Sequence, residues 1–251
     1  MRIAELFRSL QGEGRLTGTD SVFVRASGCN LRCRYCDTPY ASWEPEGEDL
    51  SVADILARME QLAGGERVAG GLARRGDGTA SGSDRAAHHA VITGGEPMLF
   101  AELIPLAQSL HEHGWHVTIE TAGTLYLPVT CDLMSISPKL SNSTPGPAQQ
   151  PRWSQRHEAN RHSAEVIRRL IAEYDFQLKF VVDRPEDCDE VLRYLEAFPH
   201  IDRSRAMLMP QGTDAAELTG KAQWLEPYCV QHGLGFCPRR HIEWFGPGRG
   251  K

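Results

Sequence analysis

Three cysteines within eight residues, Cys29-Asn30-Leu31-Arg32-Cys33-Arg34-Tyr35-Cys36, constrain this chain more than any other feature. Their spacing is C-x3-C-x2-C, and no fourth cysteine follows closely. A tetrahedral structural zinc takes four ligands, often as two C-x2-C pairs. A cubane iron–sulfur cluster carries an iron at each of its four corners, so three thiolates leave one iron open to an exchangeable ligand. Such a cluster can bind and reduce a small molecule rather than only relay electrons. Free cysteine also behaves as a small hydrophobe. Here, however, Arg32 and Arg34 interleave the thiols while Asn30 and Asp37 flank them, which is not the composition of a core strand. A zinc site completed by a distant His or Cys is the stronger alternative.

At 251 residues the chain suits a single α/β barrel-like domain with a substantial core. A formal net charge of −6 argues against extended contacts with nucleic acid phosphates, though not against a local basic pocket for a small anion. Seven cysteines is an odd number, and Cys131, Cys188, Cys229 and Cys237 are scattered, so a disulfide framework is not expected. Free thiols and a cluster both suit a reducing cytoplasm. Met1 to Glu5 lacks the apolar core of a signal peptide. No run approaches the roughly 18 apolar residues of a membrane helix. A cytoplasmic protein without membrane or nucleic-acid partners is expected.

Strands and helices alternate along the chain. Ile3–Phe7 opens as a short strand and leads into the turn-rich Ser9–Gly14, where two glycines flank Glu13. Val22–Ala26 reads as a strand with Arg25 at its end. Ser51 and Asp54 form a capping-box pattern before a helix whose buried face is Val52, Ile55, Leu56, Met59 and Leu62. Residues 64–88, rich in Gly, Arg, Ala, Ser and Asp, read as a flexible surface insertion. Ala90–Ile92 is a strand fragment running into Thr93-Gly94-Gly95-Glu96-Pro97. A helix over Leu103–Leu110 and strands over His116–Thr121 and Asp132–Ile136 follow, the last ending in Ser137-Pro138-Lys139. From Leu140 to about Arg156 the polar, Pro-rich composition reads as a second loop excursion, an insertion spanning 141–160. Beyond it come a helix, the strand Phe176–Val182, a helix carrying Cys188, the strand Ala206–Pro210, a helix stopped by Gly233, and the strand Leu234–Cys237. The pattern predicts a parallel sheet with crossover helices, of about six strong strands against the eight of a full barrel. The expected fold class is therefore α/β, an open partial barrel forming one domain over 1–251.

The chemically equipped stretches each follow a strand: the cysteine loop, Thr93–Pro97, Ser137–Lys139, Lys179 and Gln211–Thr213. In a (β/α) fold those carboxyl-end loops form the active face. Singly, each has a bland alternative: Glu13 as a solvated loop charge, Arg25 as a surface pair, Gly94-Gly95 as a tight turn. Together, in order, Gln11-Gly12-Glu13-Gly14, Phe23-Val24-Arg25, C-x3-C-x2-C running into Asp37-Thr38, Thr93-Gly94-Gly95-Glu96-Pro97, Ser137-Pro138-Lys139 and Leu178-Lys179-Phe180 resemble the 7-carboxy-7-deazaguanine synthases. These are radical S-adenosylmethionine (SAM) enzymes of the queuosine pathway. The cysteine spacing is specific only for the radical SAM superfamily; its combination with Q-G-E-G and C-D-T points to this family. The resemblance covers nearly the whole chain outside the two insertions.

The resemblance implies a radical SAM fold and roles residue by residue. Cys29, Cys33 and Cys36 would ligate a [4Fe-4S] cluster whose open iron holds the amino and carboxylate groups of SAM. Gly95 would meet the methionyl end of SAM, with Tyr35, Cys36, Asp37, Ser137, Pro138, Lys139 and Lys179 lining the rest. Thr38 would help hold Mg2+, a hard ion suited to oxygen ligands. Leu10, Gln11, Gly12, Glu13, Arg25 and Thr93 would hold 6-carboxy-5,6,7,8-tetrahydropterin, Arg25 gripping its carboxylate. The implied reaction cleaves SAM reductively to a 5′-deoxyadenosyl radical that removes hydrogen from pterin C6; ring contraction and loss of ammonia give 7-carboxy-7-deazaguanine. Flavodoxin or ferredoxin as reductant and a homodimeric state are also implied. A glycyl-radical-activating enzyme and a zinc-stabilised binding protein are the competing readings. The tail from His241 to Lys251 resembles the family's closing segment loosely, and no role is assigned to it.

Overall fold

The computed structural model of the chain describes residues 1–64, 88–148, 150–246 and 248–250. The insertion expected over 64–88 therefore lies almost wholly outside the described residues. In chain order the elements are β1 (Arg2–Leu10), β2 (Asp20–Ala26), α1 (Pro39–Ser42), β3 (Glu48–Asp49), α2 (Val52–Ala63), β4 (His89–Gly94), α3 (Leu103–Glu112), β5 (His116–Thr121), β6 (Leu133–Ile136), α4 (Pro151–Asn160), α5 (Ala164–Glu173), β7 (Phe176–Val182), α6 (Pro185–Glu196), β8 (Ala206–Pro210), α7 (Ala215–His232), β9 (Gly235–Phe236) and α8 (Arg240–Phe245). Among the described residues they build one sheet in the order β3-β1-β2-β4-β5-β6-β7-β8-β9. Every pairing from β2 to β9 is parallel. The flanking β1 and β3 are antiparallel additions. The two ends of the sheet, β3 and β9, do not pair, so the barrel is open as expected.

Period-2 alternation sorts the side chains into two worlds. Outward residues such as Val22, Val24, Ile92, Ile119, Ile136, Leu178, Phe180 and Leu208 pack under the helices in one large core. Inward residues are largely polar. At the floor, His89 sits between Ser21 (Nδ1 to Oγ, 2.7 Å) and Thr118 (Nε2 to Oγ1, 2.8 Å). Beside it, Gln177 Nε2 donates to Ser135 Oγ at 2.8 Å. Phe7 and Phe23, stacked 4.9 Å apart, pack with Val91 as an apolar layer between neighbouring strands. The carboxyl ends of the strands then carry Arg25, Thr93, Glu120 and Lys179 into a cavity.

Three departures from the sequence reading shape the region around the cavity. Strand β1 runs on to Leu10, so Ser9 and Leu10 belong to the sheet and the turn starts at Gln11. One further strand, β3, is two residues long and too short to carry a period, and the expected strand over Leu234–Cys237 is present as the two-residue β9. Most telling, the second half of the insertion expected over 141–160 is helix α4, opened by Pro151 in its first turn. Its buried residues are Ser154 and His157, so no apolar stripe announced it. Where helices were expected, caps agree with the reading: Ser51 and Asp54 form the full capping box of α2, and Gly233 ends α7 in the left-handed conformation at φ 68°. Among the described residues no helix is long and apolar enough to cross a membrane.

Candidate active site

A cavity of about 470 Å3 opens at the carboxyl ends of the parallel strands. Leu10, Gln11, Gly12, Glu13, Arg25, Cys29, Cys33, Tyr35, Cys36, Asp37, Thr38, Thr93, Gly95, Ser137, Lys139 and Lys179 all line it. Of the residues to which the resemblance assigns a role, Pro138 alone does not; it is buried while its neighbours Ser137 and Lys139 reach the lumen.

One wall is a charge cluster. Lys179 Nζ donates to Glu13 Oε2 at 3.0 Å and to Glu120 Oε1 at 3.3 Å. Gln11 Nε2 donates to the same Glu120 oxygen at 3.3 Å. Arg239 reaches Glu13 Oε1 at 3.4 Å through Nε, the Gly212 carbonyl at 2.6 Å through Nη1, and Asp37 through Nη2. His241 Nδ1 stands 3.8 Å from Glu13. Burial alone would raise the Glu13 pKa, but Lys179, Arg239 and His241 outweigh it and hold the carboxylate far below its ordinary range. Burial likewise disfavours the Lys179 ammonium, yet Glu120 and Glu13 push its pKa up and keep it charged.

Across the cavity, Arg25 donates through Nε to Glu5 Oε2 at 2.7 Å. Tyr40 Oη donates to the same oxygen at 2.7 Å. Among the described residues the two terminal nitrogens of Arg25 have no hydrogen-bond partner, so its fork faces the lumen ready for an oxyanion.

The cysteine loop forms the rim. Cys29 Sγ accepts from the Leu31 amide at 3.4 Å, and Cys36 Sγ lies 3.1 Å from Ser42 Oγ. Burial pushes the Cys29 thiol up to about 12 and the Cys33 thiol up to about 11, so a metal held there would have to displace their protons. Among the described residues no three His, Cys, Asp or Glu side chains stand close enough to share one metal ion. A cubane takes each thiolate on a separate iron, and the three thiols lie on one rim of the cavity, so the residues present fit such a cluster. The Gly94-Gly95 turn is knitted to this loop: Gly95 N donates to Ala26 O at 3.0 Å and Glu96 N to Gly28 O at 2.8 Å. A Cβ on Gly95 would lie 2.2 Å from the Gly28 carbonyl oxygen, so only glycine fits. Glu96 is fully buried and turned away from the lumen, accepting from Thr121 Oγ1 (2.8 Å), Ala122 N (2.8 Å) and Met98 N (3.1 Å).

No protein-family model matches the chain. It is 43% identical over 252 residues to the 7-carboxy-7-deazaguanine synthase of Rhodopirellula baltica, a match covering 99% of this chain and 88% of that protein. To the 7-carboxy-7-deazaguanine synthase of Halobacterium salinarum it is 39% identical, covering 96% of this chain and 88% of the relative. The chain belongs to the 7-carboxy-7-deazaguanine synthase family.

The fold agrees with that membership. The crystal structure of QueE from Escherichia coli superposes with a TM-score of 0.66 at 24% identity, covering 96% of this chain and 94% of that one. SuiB from Streptococcus suis bound to S-adenosylmethionine gives 0.54 at 14% identity, this chain spanning 48% of its length. As a 7-carboxy-7-deazaguanine synthase family member the chain is an enzyme, a radical SAM lyase of queuosine biosynthesis, with SAM and a [4Fe-4S] cluster as cofactors. Sequence reasoning missed Glu120, Arg239 and His241 in the family's cavity. Glu120 was legible in principle, as an inward position near the end of an alternating strand. Arg239 and His241 directly follow the last strand, where basic residues at a carboxyl end were the available signal.

Proposed function

We propose that this cavity binds 6-carboxy-5,6,7,8-tetrahydropterin and converts it to 7-carboxy-7-deazaguanine with release of ammonia. The observation that carries the reading is Arg25: tethered to Glu5 at 2.7 Å, with its two terminal nitrogens unpartnered among the described residues, in the same cavity as Cys29, Cys33 and Cys36. A guanidinium so held can grip the pterin carboxylate with two parallel hydrogen bonds. Leu10, Gln11, Gly12, Glu13 and Thr93 would surround the ring, and Glu120, Arg239 and His241 extend that set.

Cys29, Cys33 and Cys36 would hold the [4Fe-4S] cluster. Gly95, Tyr35 to Asp37 and Ser137 to Lys139 would hold SAM, with Lys139 Nζ already oriented by Ser137 Oγ at 2.8 Å. Lys179, placed on the SAM side by the resemblance, is bonded to Glu13 and Glu120 and suits the pterin side better. Bound together, cluster and SAM supply the abstraction of hydrogen at pterin C6. The chain's share is to orient C6, keep water out and hold protons in place. Glu13 stays ionised against Lys179 and can accept from ring N–H groups without taking their protons. Thr38, beside Asp37 on the rim, would offer its hydroxyl oxygen to a Mg2+, which would supply charge stabilisation and help position the substrate. A flavodoxin or ferredoxin as reductant, a homodimer and a cytoplasmic setting complete the proposal, in line with the free cysteines and the family.

The decisive experiment incubates anaerobically reconstituted protein with dithionite, SAM, Mg2+ and the carboxypterin. Formation of 7-carboxy-7-deazaguanine is expected. SAM cleavage without that product would leave the cofactor assignment standing and remove the substrate.

A further inference from the structure

The cysteine loop has little backbone structure of its own; its internal amide bond is Cys36 N to Cys33 O at 3.2 Å. A loop of that kind takes its geometry from outside partners, and here they come from the segment read as an insertion. His157 on α4 is 1% exposed, and both ring nitrogens are engaged. The Arg32 amide donates to Nδ1 at 3.2 Å, and Nε2 lies 2.8 Å from Ser143 Oγ. Ser143 commits its single proton to the Leu140 carbonyl at 2.6 Å. Nε2 must therefore carry the ring proton and donate to Ser143, leaving Nδ1 as a pure acceptor for Arg32. The Arg34 amide donates to the Ser143 carbonyl at 2.8 Å. The amides on both sides of Cys33 are thus satisfied by His157 and Ser143, which bond to each other. Trp43 Nε1 adds a bond to the Cys33 carbonyl at 3.2 Å. Arg32 is fixed as well: its guanidinium donates to the Cys29 and Leu31 carbonyls at 2.9 and 2.7 Å, and it lies 4.3 Å from the Trp153 ring of α4.

We propose that His157 is a positioning residue for the [4Fe-4S] cluster, its neutral imidazole bridging Ser143 and the Arg32 amide so that Cys33 is presented at a fixed place and angle. The proposal rests on Cys29, Cys33 and Cys36 being the cluster ligands. His157 does not line the cavity; it acts through the backbone that carries Cys33. Any apolar side chain could fill its site, but filling would orphan the Arg32 amide and the Ser143 hydroxyl. Ser154 is the other buried residue of α4, so the helix is held to the protein by this contact, by the Arg32–Trp153 stack and by Glu158, which accepts from Thr144 Oγ1 and Arg161.

The test compares wild type with His157→Phe, which keeps a ring without hydrogen-bonding groups, and His157→Asn, which keeps an acceptor near the place of Nδ1. Leu170→Ala, a buried core position on α5, serves as a control for general destabilisation. Two readouts besides turnover are taken: the EPR spectrum of the reduced, reconstituted protein without SAM, and amide hydrogen exchange of Arg32 to Arg34 in protein freed of iron. His157→Phe is expected to accelerate exchange about tenfold at Arg32, the loss of one buried hydrogen bond, and to broaden or shift the EPR signal. His157→Asn should lie near wild type at Arg32, and Leu170→Ala should lower the melting temperature while moving neither readout. A His157→Phe protein with wild-type exchange and spectrum overturns the proposal, as does a Leu170→Ala protein that moves both as far. If wild type itself assembles no cluster, the cysteine assignment falls and the cluster role of His157 with it, while the exchange data on iron-free protein still report separately whether His157 holds the loop.

Discussion

Lys179 holds its charge against Glu13 and Glu120 while almost fully buried, and the three groups form one electrostatic unit. Removing its charge would leave two carboxylates in a low-dielectric cavity with less to oppose them. Lys179→Met is therefore expected to cost about 3–5 kcal/mol of stability at pH 7, read from anaerobic chemical denaturation, and Lys179→Arg appreciably less. A cost under about 1 kcal/mol would mean that water already screens the trio. His89 makes a second residue-level prediction. Burial first, and His116 second, push its imidazole down from the ordinary 6.5 to about 4. The unfolded chain then binds a proton between those two values that the folded chain refuses, so stability is fully present above 6.5 and drains away as pH falls toward 4. Between pH 7 and pH 5 the loss from this one group is about 2 kcal/mol. His89→Gln should be less stable at pH 7 but show a correspondingly shallower decline over that interval. An unchanged slope would place the titration elsewhere.

Elements in this protein succeed or fail by backbone approach as much as by packing. The β4 exit turn lies so close to the cysteine loop that Gly95→Ala must move one of them, because the added methyl meets a carbonyl oxygen rather than a flexible side chain. It should fold yet bind SAM about tenfold or more weakly, measured by equilibrium dialysis alongside a circular dichroism spectrum. Gly233→Ala tests the other meaning of glycine. Nothing lies within 4 Å of the new methyl, so only the φ of 68° opposes it. A loss of about 1 kcal/mol with unchanged turnover is expected. These contrasts also show what the chain discloses in advance. Strands β7 and β8 were legible to the residue because Phe176–Val182 alternates apolar Phe176, Leu178 and Phe180 with polar Gln177 and Lys179, and Ala206–Pro210 is an apolar run. Helix α4 was not, because its two buried side chains are a serine and a histidine and it reads as solvent-facing. In the cavity, Gln11, Glu13, Arg25 and the cysteines lie in short motifs a reader can see. Arg239 was hidden because its meaning is its distance to Glu13 and Asp37, which only the fold creates.

The molecule as a whole is closed by its last residues. Arg240 N donates to Gly12 O at 3.0 Å, and a Cβ on Gly12 would strike His241, so the tail is pressed against the loop after β1. Farther on, Gly246, Gly248, Arg249 and Gly250 border the cavity, with Arg249 3.6 Å above the Tyr40 ring and 2.9 Å from Glu46. Arg249→Ala should raise KM for the pterin about two- to five-fold with kcat nearly unchanged; an unaltered KM would make the strap ornamental. The same closure sets an order of events during synthesis. Glu13 waits 166 residues for Lys179 and 226 for Arg239. The Glu13 carboxylate therefore cannot meet either of its cations until most of the polypeptide has been made, whereas Cys29, Cys33 and Cys36 stand within eight residues of one another from the moment they are synthesised.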